Sequence, residues 1–380
     1  MSKITKILIT GANGFIAQNL KVKLQREKYI ELYYLNRNDN LNDADNYIKD
    51  IDIIYHLAGE NRSKNIENFY LNNDLFTNKL CDLVEASYYK YGKKITIVYT
   101  STIKKNEDSH YGKSKSNAEK YLKSLSNKIN SNVFIYDLPN VFGKWSRPNH
   151  NSAIATWCHN ISRGKNIEIS DPNANLDLVY IDDLIVSFVK LIEGYSKPQG
   201  IKYIKVTPVY TLKLQEIVNL IYAFQNSRKS KYVYKVGEGF KRKLYSTFLS
   251  FMPKDNFKEE MDKYTDARGS FCEIIKTLDS GQFSFFTALP GVKRGSHYHD
   301  TKSEKFLVVK GSAKFKLKSI ISGEEYSTNL SENKLEIIDS IPGWMHEITN
   351  IGSEILIVFV WANEVFDENQ PDTFQYKELK

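Results

Sequence analysis

The sequence predicts an α/β fold with a doubly wound parallel sheet, followed by an all-β domain. Three observations predict it. The apolar run Lys6–Thr10 leads directly into a glycine turn and then an amphipathic helix, the order that opens a βαβ unit. From Asp266 onward, turn signals recur between apolar runs such as FSFFTAL, KFLVV and ILIVFVWA, which is an all-β pattern. The chain of 380 residues exceeds what one hydrophobic core usually serves. The expected domains are residues 1–245 and 255–380.

Composition narrows the partners. The net charge is +8, with Lys and Arg scattered and no arginine-rich arm. That favours an anionic nucleotide over nucleic acid. No apolar run is long enough to span a bilayer, and MSKITKILITGANG does not read as a signal peptide. No membrane insertion is expected, and the expected compartment is the cytoplasm. Cys81, Cys158 and Cys272 are odd in number and far apart, so they read as buried free thiols.

The first strand ends in Gly11-Ala12-Asn13-Gly14-Phe15-Ile16-Ala17, and Ile16, Leu20 and Leu24 share one face of the helix that follows. Gly11 permits the tight turn. Gly14 lets backbone approach a pyrophosphate, whose charge suits the helix N-terminus. This context makes the turn a dinucleotide site. The second strand, Glu31–Leu35, ends in Asn36-Arg37, with no acid to bind a ribose 2′-hydroxyl. Arg37 suits a 2′-phosphate, so NADPH is the expected cofactor. The third strand, Ile51–Leu57, ends in small residues, Ala58-Gly59, against which a cofactor can lie. A long helical stretch, Ile66–Tyr89, comes next.

The strand Ile95–Tyr99 runs into Thr100-Ser101-Thr102, and Tyr111 and Lys115 follow. Four residues apart, Tyr111 and Lys115 share a helix face. An ammonium beside a phenol lowers its pKa and readies it to exchange a proton with a carbonyl oxygen. A hydroxyl from the preceding strand end can bond the same oxygen.

These features resemble the extended, nucleotide-sugar-modifying branch of the short-chain dehydrogenase/reductase superfamily. Also matching are His56-Leu57-Ala58-Gly59, Leu138-Pro139-Asn140-Val141-Phe142-Gly143 and Val179-Tyr180-Ile181-Asp182-Asp183. The resemblance implies a Rossmann-like fold with Thr102, Tyr111 and Lys115 as catalytic residues, Ser101 being the alternative hydroxyl. It implies cofactor contacts from Gly11, Asn13, Gly14, Phe15, Ile16, Arg37, Leu57, Ala58, Gly59, Tyr111 and Lys115. Substrate contacts are expected from Asn140, Lys144, Arg147 and Asn149. A small substrate lobe is expected from 149–162 and 201–225. Asp137 departs from the family, in which many members carry Arg there, and the Thr102–Tyr111 loop is short. Ile103-Lys104 stands where dehydratases of this branch carry an acidic pair, which argues against dehydration.

Residues 291–311, GVKRGSHYHDTKSEKFLVVKG, place His297 and His299 two apart, on one strand face, with Glu304 five residues on. Downstream, PGWMHEITN offers His346. Imidazoles and one carboxylate suit a divalent transition metal, most simply zinc. The spacing resembles the two motifs of the cupin superfamily, with Pro342, Gly343, His346 and Asn350 in the second. The resemblance implies a β-barrel with the metal inside. Lys293, Tyr298, Asp300 and Lys302 are all open as the acid or base.

A reductase followed by a cupin narrows the family further. PNVFGKW, SEKFLVVKG, KLEIID and the tail VFDENQPDT resemble the bifunctional capsular polysaccharide biosynthesis enzymes of the CapF family and their O-antigen counterparts. That resemblance implies a UDP-linked 4-keto-6-deoxy-N-acetylhexosamine as substrate. The cupin would epimerise C3. The reductase would then reduce the C4 ketone with NADPH, giving UDP-N-acetyl-6-deoxy-L-talosamine on the route to UDP-N-acetyl-L-fucosamine. The alternative is a 4-ketoreductase whose cupin only binds sugar or dimerises. A homodimer is expected.

Overall fold

Thr5–Thr10 is the strand on which the first unit is built. Ile7, Leu8 and Ile9 are fully buried, as a parallel strand covered on both faces must be. In the computed structural model, which describes residues 4–37, 39 and 41–376, it pairs with Ile30–Leu35 on one side and Ile53–His56 on the other. Thr96–Thr102, Val133–Leu138 and Ile201–Ile204 extend the sheet, and every pairing is parallel. Strand order reverses between Thr5–Thr10 and Ile53–His56, and ligands bind at such switch points, beyond the carboxyl ends of the strands.

The helices Phe76–Tyr91 and His110–Ile129 cover one face. Leu80, Val84, Leu122 and Leu125 pack there with Leu8, Ile54 and Ile97 of the sheet. The expected helix from Ile66 is present, but its middle turn, Tyr70–Leu75, is a π-helix. Ile201–Ile204 differs from expectation. It is the sixth strand of the main sheet rather than part of the small lobe, because Val133–Tyr136 takes it as a parallel partner. The small sheet instead joins Asn140–Phe142, Asn175–Tyr180 and Tyr210–Lys213.

The chain divides into two units, Met1–Tyr222 with Gly237–Pro253, and Ala223–Val236 with Lys254–Lys380. The expected cut at 245–255 placed Ala223–Val236 in the first domain. The structure places it in the second, because Tyr232–Val233 pairs in parallel with Lys276–Thr277. The second unit stacks two largely antiparallel sheets around Phe286, Phe306, Val308, Phe315, Ile348 and Val358. The expected strands are there as Gln282–Ala288, Glu304–Lys310 and Leu356–Ala362. Asn350, fully buried, donates to Ala288 and Glu354 carbonyls and accepts from Gly352 N–H. Its part in the second motif is therefore structural. Among the described residues, no helix is long and apolar enough to cross a membrane.

Candidate active site and candidate metal centre

At the switch point the chain makes a turn that only glycine allows. Gly11 has φ +66°, and a Cβ there would lie 2.7 Å from Ala58 Cα. The missing side chain lets the ends of two strands close on each other. Gly14, with extended backbone, caps Phe15–Leu24, so the helix N-terminus opens toward a cavity of about 1200 Å³. That volume exceeds the usual span of a single-ligand pocket, roughly 300–1,000 Å³. Gly11, Asn13, Gly14, Phe15, Ile16, Arg37, Leu57, Ala58 and Gly59 line it, and so do Thr102, Tyr111 and Lys115. The cradle and the hydroxyl cluster thus share one space, and the residues fit a dinucleotide.

The Tyr–Lys pair is carried by His110–Ile129, whose N-cap Ser109 accepts from Gly112 N–H. The Thr102 hydroxyl lies beside the Tyr111 phenol, and both residues line the cavity. Ser101, one residue earlier on an extended strand, faces the other way and donates to Glu119 at 2.5 Å. The geometry therefore selects Thr102 over Ser101 as the hydroxyl beside the phenol. Lys115 is fully enclosed; its ammonium donates to Thr100 O at 2.9 Å and lies over the Tyr99 ring. Burial pulls its pKa down to about 8, against the opposing field of Glu119. Burial also raises the Tyr111 phenol, with the Thr102 bond opposing. The expected lowering of the phenol by Lys115 is not seen; burial dominates, and Tyr111 is held protonated.

Arg37 reaches the cavity rim, where it pairs with Glu60 at 2.7 Å. Asp39 also lines the cavity, but its carboxylate turns back to accept from Asn36 N–H. Of the four expected substrate contacts, Asn140 and Arg147 line the cavity. Lys144 and Asn149 are not among the lining residues. Lys144 is held by Asp182 at 2.5 Å, and Asn149 N–H is taken by Thr156 Oγ1.

Two residues escaped the sequence reading. Asn73, in the π-helical turn, donates to Glu60 O and Ser114 Oγ and accepts from Glu60 N–H. It fixes the chain just past Gly59. Trp145 lines the cavity with φ +68°, an uncommon backbone for a bulky residue. Neither carries a local signal beyond its type.

In the second unit, His297, His299, Glu304 and His346 bring their ligand atoms within 4.8 Å of one another. A bulge between Gly295 and His297 re-aims the strand, and His297 then sits directly across from His346. Glu304 comes from the opposite sheet. One carboxylate oxygen, Oε2, faces His299 Nε2 at 3.2 Å and His346 Nε2 at 3.3 Å. His299 Nδ1 is bonded to the backbone carbonyl of Asp372, which can only accept, so a neutral His299 carries its proton on Nδ1. Its bare Nε2 then opposes a carboxylate oxygen, a repulsion that a cation between them removes. Ligands about 2.0–2.1 Å from a tetrahedral ion stand about 3.3 Å apart, and the donor set fits a divalent ion.

Burial lowers His297 to about 4, so this imidazole is neutral near pH 7. Burial opposes ionisation of Glu304, while the Lys302 ammonium beside it favours the carboxylate. Of the four open acid or base candidates, Lys302 alone is seen to contact the cluster, at 3.2 Å from Glu304 Oε1. Lys293 pairs with Glu347, Tyr298 packs on Phe374, and Asp300 is exposed.

Comparison with known proteins agrees with both halves. Residues 7–204 match the model of the NAD dependent epimerase/dehydratase family, and 264–374 match the polysaccharide biosynthesis C-terminal domain. The chain belongs to the NAD dependent epimerase/dehydratase family, and it is an enzyme that works with a nicotinamide cofactor. A UDP-2-acetamido-2,6-beta-L-arabino-hexul-4-ose reductase from Pseudomonas aeruginosa is 46% identical over 97% of this chain and 98% of that protein. The crystal structure of the capsular polysaccharide assembling protein CapF from Staphylococcus aureus superposes with a TM-score of 0.89 at 37% identity. It covers 98% of this chain and 100% of its own. A CapF structure with the inhibitor 3-isopropenyl-tropolone gives 0.85 at 34% identity, covering 98% of this chain and 100% of its own.

Gly11→Ala should lower stability by about 1–3 kcal/mol through backbone strain and should largely abolish cofactor binding. Thermal melting and a fluorescence titration with NADPH read the two effects.

Proposed function

We propose that this enzyme is a bifunctional UDP-4-keto-sugar reductase and C3-epimerase, acting on a UDP-linked 4-keto-6-deoxy-N-acetylhexosamine. The observation that carries the reading is the single cavity that holds both the glycine cradle and the Thr102–Tyr111–Lys115 set. The relatives supply the substrate class. When bound, the nicotinamide supplies a hydride to C4 of the ketone. Tyr111 gives its phenolic proton to the C4 oxygen, completing the alcohol, and the Thr102 hydroxyl bonds the same oxygen. The Lys115 ammonium, in the same buried cluster, offsets the charge left on Tyr111, which solvent then reprotonates. Arg147 and Asn140 line the same cavity and would contact the sugar nucleotide.

In the barrel, His297, His299, Glu304 and His346 would hold the metal, read as zinc. When bound, it supplies a Lewis acid for the C4 oxygen. The ketone acidifies the C3 hydrogen, and Lys302 is the cationic group nearest the ligands. Removal of that proton and its return to the opposite face inverts C3. A second reading is favoured by one observation: all four donors are protein groups, a closed set typical of structural sites. On that reading the barrel is a non-catalytic module of a 4-ketoreductase. The direct test offers the UDP-4-keto sugar with NADPH and determines the product's stereochemistry by NMR. An unchanged C3 sinks the epimerase assignment.

Tyr111→Phe should cut turnover on the order of a hundredfold or more while NADPH still binds. In the wild type, activity should fall as pH rises through about 8, where Lys115 loses its proton. Near-normal turnover in the variant, or a rate that climbs past that pH, counts against the assignment.

NADPH is the proposed cofactor because Arg37 is at the cavity rim and Asp39 is turned away from it. Arg37→Ala should lower kcat/KM for NADPH on the order of tenfold, the cost of one charge-assisted contact, and leave NADH little changed. A wild-type preference for NADH would be fatal to this reading.

His297→Ala should lower the bound metal and abolish solvent hydrogen exchange at C3, while NADPH binding persists. Loss of melting temperature with exchange intact would instead support the structural reading.

A further inference from the structure

Of the tail motif Val365–Thr373, only the Asp372 backbone carbonyl has entered the candidate metal centre so far. Its acidic residue Asp372 collects an unusual number of donors. Asp372 Oδ1 accepts from Asp300 N–H at 2.8 Å. Oδ2 accepts from Thr301 N–H and Thr301 Oγ1, both at 2.8 Å, and from Lys302 N–H at 2.7 Å. Three successive backbone N–H groups converging on one carboxylate form an anion-binding nest. The nest is the turn between His299 and Glu304, two of the four candidate ligands. The backbone carbonyl of the same residue takes the proton of His299 Nδ1, 73 positions earlier in the chain.

The residues that follow continue the attachment. Phe374–Gln375 pairs antiparallel with His297 and Tyr298, and Tyr376 N–H donates to Ser296 O at 3.1 Å. The ligand-bearing strand would otherwise end its sheet as an open edge. Phe374 packs its ring on Tyr298, with centroids 5.4 Å apart. The tail is therefore stitched along the back of the ligand strand, with Asp372 at the point where that strand turns toward Glu304.

We propose that Asp372 is a positioning residue of the candidate metal centre, strapping the tail onto the ligand strand and fixing His299 with Nδ1 protonated and Nε2 bare toward Glu304. The inference rests on the metal reading given under the proposed function. Asparagine cannot replace the carboxylate fully. It offers one acceptor oxygen and turns two amide hydrogens toward a ring of donors. The strap also sets the direction of Lys302, whose N–H it holds and whose ammonium meets Glu304. A partner that orients a metal-binding histidine through its second nitrogen typically changes metal affinity 10- to 100-fold when removed.

The test uses the full chain as wild type, Asp372→Ala and Asp372→Asn. Asp367→Asn, whose carboxylate accepts from Asn369 within its own turn, is the control. Long-range ¹H–¹⁵N imidazole spectra of the metal-free proteins report the His299 tautomer. Zinc affinity is read by competition with a chromophoric chelator, and NADPH binding reports on the first unit. The expected result is a single Nδ1–H tautomer in wild type and control, and a mixture in Asp372→Ala. Zinc should bind roughly 10- to 100-fold more weakly to that variant, less so to Asp372→Asn, with NADPH affinity unchanged in both. If Asp372→Ala does not fold, Asp372→Asn alone carries the comparison. Wild-type tautomer and zinc affinity in the variants overturn the proposal. So does a lowered melting temperature with the tautomer unchanged. If the wild-type chain binds no divalent ion, the metal reading falls, and the tautomer decides the strap by itself.

Discussion

The first unit depends on one close approach: the backbone at Gly11 against Ala58. Two parallel strands diverge in connection at this point, and the crevice between their ends is where the fold leaves room. A side chain at Gly11 would occupy that crevice from below, since its Cβ would overlap Ala58. The helix beginning at Phe15 can then present its free N–H groups to a diphosphate. Thr96–Thr102, adjacent to Ile53–His56 in the sheet, delivers Thr102 to the same rim. Cradle and hydroxyl are neighbours because strand order makes them so, not because they are close in sequence.

Burial sets the protonation state of that site. An exposed Tyr–Lys pair would be governed by charge, the ammonium favouring the phenolate. Here both groups are enclosed, and desolvation pushes the phenol up and the ammonium down. A reduction needs an acid for the new alkoxide, so a neutral phenol beside a carbonyl is the useful resting state. Glu119, one turn beyond Lys115, opposes the loss of the ammonium. It is held by Ser101, Lys105 and Tyr203. Lys105 bridges it to Asp137, where many members of the branch carry Arg. A cation from the short loop thus stands where the departure at 137 would otherwise leave two carboxylates together.

What could be read in the sequence was local. The glycine turn, the Tyr111–Lys115 spacing and the His297–His299–Glu304 spacing each lie within one turn or hairpin, where period fixes the face. The tiebreak between Ser101 and Thr102 was open because register, not composition, decides which hydroxyl faces the phenol. Lys144 and Asn149 lie on an irregular loop and are not among the residues lining the cavity. There Lys144 pairs with Asp182, and the Asn149 backbone N–H donates to Thr156. Ile201–Ile204 looked like lobe because its sheet partner lies some seventy residues earlier. Asn73 and Asp372 act through contacts that only the folded chain makes.

The two halves make the same chemical demand in different ways. An epimerisation beside a ketone and the reduction of that ketone both place negative charge on the same C4 oxygen. In the first unit the proposed answer is a proton from Tyr111, already present and kept there by burial. In the barrel, among the described residues, the recorded partners of the Glu304 carboxylate are His299, His346 and Lys302, and the Tyr298 ring packs on Phe374. What the barrel has is an anion, Glu304, ringed by imidazoles with one nitrogen bare and by the Lys302 ammonium. Positive charge is what that arrangement can concentrate. A reversible proton removal needs charge stabilisation that does not consume the ketone, whereas reduction needs a proton delivered for good. A pocket built to hold a cation suits the first demand, and a buried phenol suits the second.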